Sequence, residues 1–308
     1  LWKTSPARVC DRMSRSTSRY RWSWVDSVVL LGIIGFFGFI GYRVNTVLVY
    51  QWDWGFLPGY LFRWDEETQS LLPNLLVKGL LTTLRLAFWS IILATLIGFV
   101  TGMMRTSRRL FPQAFSRLYV ELIRNVPPIV FIFVFYFFIS SQIIPLLGLD
   151  TLDQRLGPTG QSVVEFLFGP VSLLSNTFSG IFCLALFEAA YITEIVRSGI
   201  QSVSVGQREA AMSIGLSRWQ QMRYVVLPQA VQREIPPLAG QFIILIKDSS
   251  IVSLISIQEL TFLTLEVANS TQRVFEVWVF VAGVYFVLCY SCALIFRRLE
   301  MRLDSSRI

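Results

Sequence analysis

Histidine is absent from all 308 residues. Without imidazole there is no histidine general base and no His-ligated metal site. Lysine is nearly absent as well. Lys3, Lys78 and Lys247 are the only ones, and none stands in a G-x-x-x-x-G-K-[ST] phosphate loop, so the chain does not hydrolyse ATP by that route. A G-x-S-x-G nucleophile elbow is also missing, which weighs against an intramembrane hydrolase. Charge as a whole is scarce, at 15% of residues against 54% hydrophobic, and the mean hydropathy is +0.56. That balance excludes an ordinary soluble globule, and the chain is far longer than a single anchor needs. The four cysteines, Cys10, Cys183, Cys289 and Cys292, lie in a basic stretch and in apolar runs rather than in a secreted framework, and are read as thiols.

What is present is a series of apolar runs, which predicts an all-α, polytopic membrane protein with about six transmembrane helices and both termini cytoplasmic. Residues 1–24 form a basic cytoplasmic tail, and 25–50 an additional N-terminal helix that is too long for a signal-peptide core and is read as uncleaved. Residues 51–78 make an external loop, and 79–303 a transmembrane domain. Within that domain Gly79 to Met104 is apolar for about 26 residues, or ~39 Å at ~1.5 Å per residue, enough to cross ~30 Å of hydrocarbon. The next spans are Ile129 to Ile144 and Thr177 to Ile195. Pro236-Pro237 is expected to open the fifth, which ends near Ile257, and Trp278 to Phe296 is the sixth. Of the 27 basic residues, 20 fall in the four segments this topology places inside, a strong positive-inside bias. The net charge of +7 therefore reports membrane orientation and not nucleic-acid binding.

Between the fourth and fifth spans lies residues 204–228, amphipathic, charged and placed inside. Ser204 with Gln207, and Ser217 with Gln220, each fit a capping box. Gly215 between them suits a left-handed helix end, and Pro228 is expected to close the second helix for want of a backbone donor. A helix, a break and a helix held outside the bilayer make a docking element.

Glu209-Ala210-Ala211, then Gly215, then Val225-Val226-Leu227-Pro228 resemble the cytoplasmic coupling-loop signature (EAA…G…I.LP) of permease subunits of bacterial ABC importers. AYITEIVRSGIQSV from Ala190, PPLAGQFIILIKDSS from Pro236 and YVELIRNVPPIVFIFVFYF from Tyr119 are similar to the polar-amino-acid permease family of the histidine and glutamine type. The resemblance covers roughly Gly79 to Leu303. It implies the type I permease fold and an ATPase-coupling role for Glu209, Ala210, Ala211, Gly215, Leu227 and Pro228. It also implies ATP and Mg bound on two partner ATP-binding subunits with no cofactor on this chain, a second permease subunit that is identical or paralogous, a periplasmic amino-acid-binding protein, and residence in a bacterial inner membrane. An importer of an osmolyte or an oxyanion would carry the same coupling signature; a secondary transporter would not need it.

Ionisable groups inside spans are the other candidates, since a lone charge there costs several kcal/mol. Lys247 and Asp248 lie about 11 residues, or roughly 15 Å, into the fifth span, with Ser249, Ser253 and Ser256 extending a polar face. They line the translocation path or form a structural pair. Glu188, at similar depth in the fourth span, faces a substrate ammonium or pairs with Lys247 or Arg85. Arg85, near the outer end of its span, is expected to snorkel.

Overall fold

The computed structural model describes residues 23–47, 50–67 and 69–305, so most of the basic tail lies outside the described residues. Two units divide the chain, Leu1–Trp52 and Asp53–Ile308. The first contributes α1 (Trp24–Val47). Its start is tied by the Ser23 N–H donating to Asp26 Oδ2 at 2.7 Å, and no part of its apolar window is buried.

The second unit opens with α2 (Leu57–Leu61) and an antiparallel hairpin, β1 (Phe62–Asp65) with β2 (Ser70–Pro73), in a register that sets Phe62 opposite Pro73. The expected external loop is therefore folded. Leu57 is buried with Leu76, Leu260 and Val277, and the Asn74 amide donates to Gly59 O at 2.6 Å. Then follow α3 (Leu75–Arg105), α4 (Leu110–Asn125) and α5 (Pro128–Val134), which passes through a π turn (Phe135–Ser140) into α6 (Ser141–Leu146). Two short helices, α7 (Leu152–Arg155) and α8 (Pro158–Phe168), lead to α9 (Leu174–Ser202), α10 (Val205–Ser213) and α11 (Arg218–Gln220). A second π turn (Gln221–Val226) enters α12 (Leu227–Asp248), which tightens to a 3₁₀ stretch (Ser249–Ile255) before α13 (Leu260–Thr271) and α14 (Val274–Ser305). Among the described residues six helical segments are long and apolar enough to cross a membrane: Trp24–Val44, Leu75–Arg105, Pro128–Leu146, Val171–Ser202, Arg218–Ile255 and Val274–Arg302.

Two expectations are corrected here. Pro236-Pro237 does not open the fifth span, and Pro228 does not end the second docking helix; both lie within one helical run from Arg218 to Ile255. A proline removes one i to i−4 bond and crowds the carbonyl four residues earlier. Pro228 follows the π turn at the start of α12, where the helix is already wider and that crowding is relieved. At Pro236 and Pro237 the lost bonds are outweighed by packing, since Ala230, Glu234, Ala239, Gln241 and Leu245 bury one continuous face. The stretches between the spans at 145–176 and 259–276 also contain helices, and Leu260, Leu263, Val267 and Ala268 give α13 a buried stripe.

The centre of the second unit is the pair α3 and α9. Lipid offers no hydrophobic drive for helices to associate, so close approach through small residues has to supply it. Gly98 and Gly102 provide that approach. A Cβ on Gly98 would stand 2.6 Å from Ile192 Cγ2 and 3.1 Å from Ala189 O, and one on Gly102 would stand 2.6 Å from Val196 Cβ. The hydroxyls of Thr101 and Thr193 meet across the same contact. Large apolar residues such as Phe88, Leu96 and Phe286 point outward, as a lipid-facing surface requires. A Gly98→Val substitution drives two methyls into Ile192 and the α9 backbone, and is expected to cost about 3 kcal/mol. It would be read as a lower Tm of the detergent-solubilised protein; an unchanged Tm would mean that the two helices do not depend on this contact.

At the end of the bundle that carries the hairpin, the Glu259 carboxyl is fully buried. It accepts from the Thr261 and Phe262 N–H groups at 2.9 and 2.8 Å, capping α13, and from the hydroxyls of Thr83 at 3.3 Å and Tyr285 at 3.1 Å. Burial outweighs these four donors and pushes the carboxyl from 4.5 up to about 7. An acid whose folded pKa is raised stabilises the fold while protonated. That contribution is complete below the unfolded value of 4.5 and is lost as pH rises through about 7, on the order of 3 kcal/mol. The Tm is thus expected to fall from about pH 5 to about pH 8, and a Glu259→Gln variant, which keeps an acceptor but does not titrate, to lose that slope. An identical slope in the variant would remove Glu259 as its origin.

Candidate functional site

The docking element is built outward from the end of α9. Arg105 Nε meets Glu194 Oε1 at 2.7 Å, and Arg197 Nε meets Glu194 Oε2 at 2.7 Å, clamping α3 to α9. One turn further on, Arg208 Nη2 donates to Ile200 O at 2.5 Å and so hangs α10 from the last carbonyls of α9. Arg233 Nη1 donates to both the carbonyl and the hydroxyl of Ser202, binding the start of α12 to the same point. The arginine-rich stretch after α3 and the docking element thus share one end of the bundle, the arrangement the charge bias predicts.

In residues 205–228 α10 is followed by the turn at Gly215 and then by the start of the helical run from Arg218, and, besides its continuation through Pro228, one further difference stands out. Ser204 makes no side-chain cap; its hydroxyl is exposed, and α10 is held instead by Arg208. Ser217 and Gln220 do form the capping box, Gln220 N–H to Ser217 Oγ at 3.4 Å and Ser217 N–H to Gln220 Oε1 at 2.8 Å. Gly215 has φ +82. Its N–H reaches Met212 O at 3.0 Å and the Leu216 N–H reaches Ala211 O at 3.2 Å, the paired bonds of a Schellman helix end. Ala211 is buried, Glu209 and Ala210 are exposed, Leu227 is half-buried and Pro228 exposed. Around them Val205, Met212, Ile214 and Trp219 are all exposed. Exposed apolar side chains on an otherwise polar element are a feature of interaction surfaces.

The intramembrane candidates separate into two groups. Glu188 is fully buried and accepts from the Gln241 amide through Oε2, while its Oε1 has no hydrogen-bond partner. The Asp248 carboxyl is close enough to interact with it electrostatically. Neither Lys247 nor Arg85 is its partner. Lys247 is exposed and forms no ion pair among the described residues, and Arg85 Nε donates to Phe166 O at 3.1 Å. The Ser249 and Ser253 hydroxyls donate to Ile246 O and Ser250 O, both at 2.7 Å, and so secure the 3₁₀ stretch. Gln241 escaped the sequence reading, although its spacing of seven from Asp248 places both on one face of α12. Glu194 escaped it as well, and only its i, i+3 spacing to Arg197 signalled a role.

The bundle of candidate membrane spans carries a glycine-broken helix pair at one end. The chain belongs to the family described as binding-protein-dependent transport system inner membrane component, which it matches over residues 94–305. It is 32% identical over 248 residues to the glutamate/aspartate import permease protein GltK of Escherichia coli, covering 79% of this chain and 99% of that protein. It is 34% identical over 228 residues to the probable glutamine ABC transporter permease protein GlnP of Bacillus subtilis, covering 73% and 91%. Among solved structures it resembles an amino acid ABC transporter crystallised with histidines, at a TM-score of 0.59 and 30% identity over 74% of this chain and 94% of the other. The fold is also that of the MetNI methionine ABC transporter, at a TM-score of 0.53 and 18% identity. The chain is a multi-pass transport subunit of an ABC importer and not an enzyme; ATP hydrolysis belongs to separate ATP-binding subunits, and the family works with a substrate-binding protein.

Proposed function

We propose that this chain is the permease half of an amino-acid importer in a bacterial inner membrane, assembled with a second permease subunit, two ATP-binding subunits and a periplasmic amino-acid-binding protein. The observation that carries the reading is the Gly215 turn with its exposed apolar surface, hung from α9 by Arg208 and Arg233. When the ATPases close, the force on residues 204–228 passes through those arginines to α9, and through Glu194 and Arg105 to α3. Because α3 and α9 interlock at Gly98 and Gly102, they move as one body and expose the midplane alternately to each side. Glu188, Asp248, Lys247, Ser249 and Ser253 lie along that path, with the Glu188–Asp248 carboxyl pair receiving the substrate's ammonium and exposed Lys247 its carboxylate. The relatives' names support an amino-acid cargo. The test is ATP-driven uptake by the reconstituted complex across a panel of acidic, neutral and basic amino acids, with glycine betaine and sulfate as competitors of the other two solute classes. Uptake of a competitor and of no amino acid overturns the cargo assignment.

A further inference from the structure

At the docking end of the bundle, a cavity of about 430 Å³ opens between α9 and α12, lined by Glu194, Arg197, Gly199, Ser202, Arg233 and Glu234 among others. Its volume lies in the range of small-molecule pockets, roughly 300–1,000 Å³. Glu234 is only 4% exposed, and its Oε1 is buried without a hydrogen-bond partner. The carboxyl occupies the notch left by Gly199, where a Cβ would fall 2.4 Å from Glu234 Cγ. The arginines beside it do not neutralise it. Arg197 is spent on Glu194 and on Gln201 Oε1, and Arg233 reaches only neutral acceptors on Ser202 through one of its nitrogens. A guanidinium carries five N–H donors, so Arg233 retains donors at the mouth of the cavity. A buried carboxylate without a partner is costly, and an incoming cation relieves that cost.

We propose that this cavity is a second, inside-facing site for a zwitterionic amino acid, with Glu234 taking the ammonium and Arg233 the carboxylate, through which imported product restrains the transporter. The proposal rests on the amino-acid reading above. A metal cation is disfavoured by the two guanidiniums, and an inorganic anion by the buried carboxylate; a ligand with both charges a few bonds apart satisfies each end. The site is distinct from the midplane pair, because Gly199 stands eleven residues beyond Glu188 on α9, or ~16 Å. It also borders the Arg105–Glu194–Arg197 clamp and the Arg233–Ser202 tie. An occupant there holds α9 and α12 in one relative position and so opposes motion between them.

The test uses the complete transporter in proteoliposomes with ATP in the lumen, preloaded or not with millimolar L-glutamine, L-glutamate or L-arginine. Initial uptake is expected to fall about fivefold on loading for the wild type, and the ratio of loaded to unloaded rates to return to one in Glu234→Gln. The same amino acids are then titrated against ATPase activity in nanodiscs, a readout that does not need transport. Absence of amino-acid uptake by the wild type would overturn the cargo assignment alone. A response equal in wild type and Glu234→Gln, or absent from both, overturns the site, including the case in which a partner subunit closes the cavity. Melting curves of each variant confirm that a lost response is not lost fold.

Discussion

A transporter carrying Gly215→Val is expected to lose at least about tenfold in ATP-driven uptake while its membrane spans insert normally. The argument is local. Gly215 sits at φ +82, a region in which an L residue pays about 1–2 kcal/mol and a β-branched one more. No heavy atom outside the turn lies within 4 Å of where its Cβ would be, so the penalty is purely one of backbone conformation and nothing is crowded. To escape it the chain gives up the Gly215–Met212 and Leu216–Ala211 bonds, and α10 swings relative to α11. Ile214 and Trp219 then no longer present one surface to the ATPase. Because the space is open, Gly215→Asn, which tolerates the left-handed region, should retain most uptake, and Gly215→Ala should fall between. Uptake, ATPase rate and co-purification of the ATP-binding subunit distinguish failed docking from futile hydrolysis. Uptake that is the same for Val, Ala and Asn would remove the turn from the coupling mechanism.

The elements that a sequence displays are those dictated by one segment alone. Apolar length revealed the spans. Gly215 with Ser217 and Gln220 revealed the turn, since a left-handed glycine and a capping box are nearest-neighbour devices. What stayed hidden depends on a second segment. The helical continuity through Pro228, Pro236 and Pro237 exists because α9 packs against α12, and no local rule predicts that a proline pair will be overridden. The anchoring of α2 and α13 through Leu57, Leu76 and Leu260 joins residues far apart in sequence. The same holds at the candidate sites. Counting along the helices put Glu188 and Lys247 at similar depth, but rotation decides which side chains meet. It set Gln241 against Glu188, with Asp248 near by, and left Lys247 exposed and not paired with Glu188.

That rotation determines the outcome of Glu188→Gln. Had Glu188 neutralised Lys247, removing its charge would have stranded a buried cation and damaged assembly by several kcal/mol. With Gln241 and Asp248 as neighbours, an amide fits: its oxygen accepts from Gln241 as Oε2 does now, and its nitrogen donates to the Asp248 carboxylate. The variant is therefore expected to assemble with its ATP-binding subunits and to keep basal ATPase activity. What changes is charge. Two carboxyl groups side by side receive a substrate ammonium more strongly than one carboxylate already bonded to an amide, and in a medium of low dielectric that difference is worth a few kcal/mol. Uptake should accordingly fall at least about tenfold, most for substrates with a cationic side chain and least for acidic ones. Glu188→Leu provides the contrast, since it takes the acceptor from buried Gln241 and should lower the Tm by several degrees. Size-exclusion profiles, basal ATPase rates and uptake across the amino-acid panel read these outcomes separately. A Glu188→Gln transporter with the wild-type uptake profile would show that the carboxyl pair takes no part in receiving substrate, whereas one that fails to assemble would make the pair a structural joint between α9 and α12.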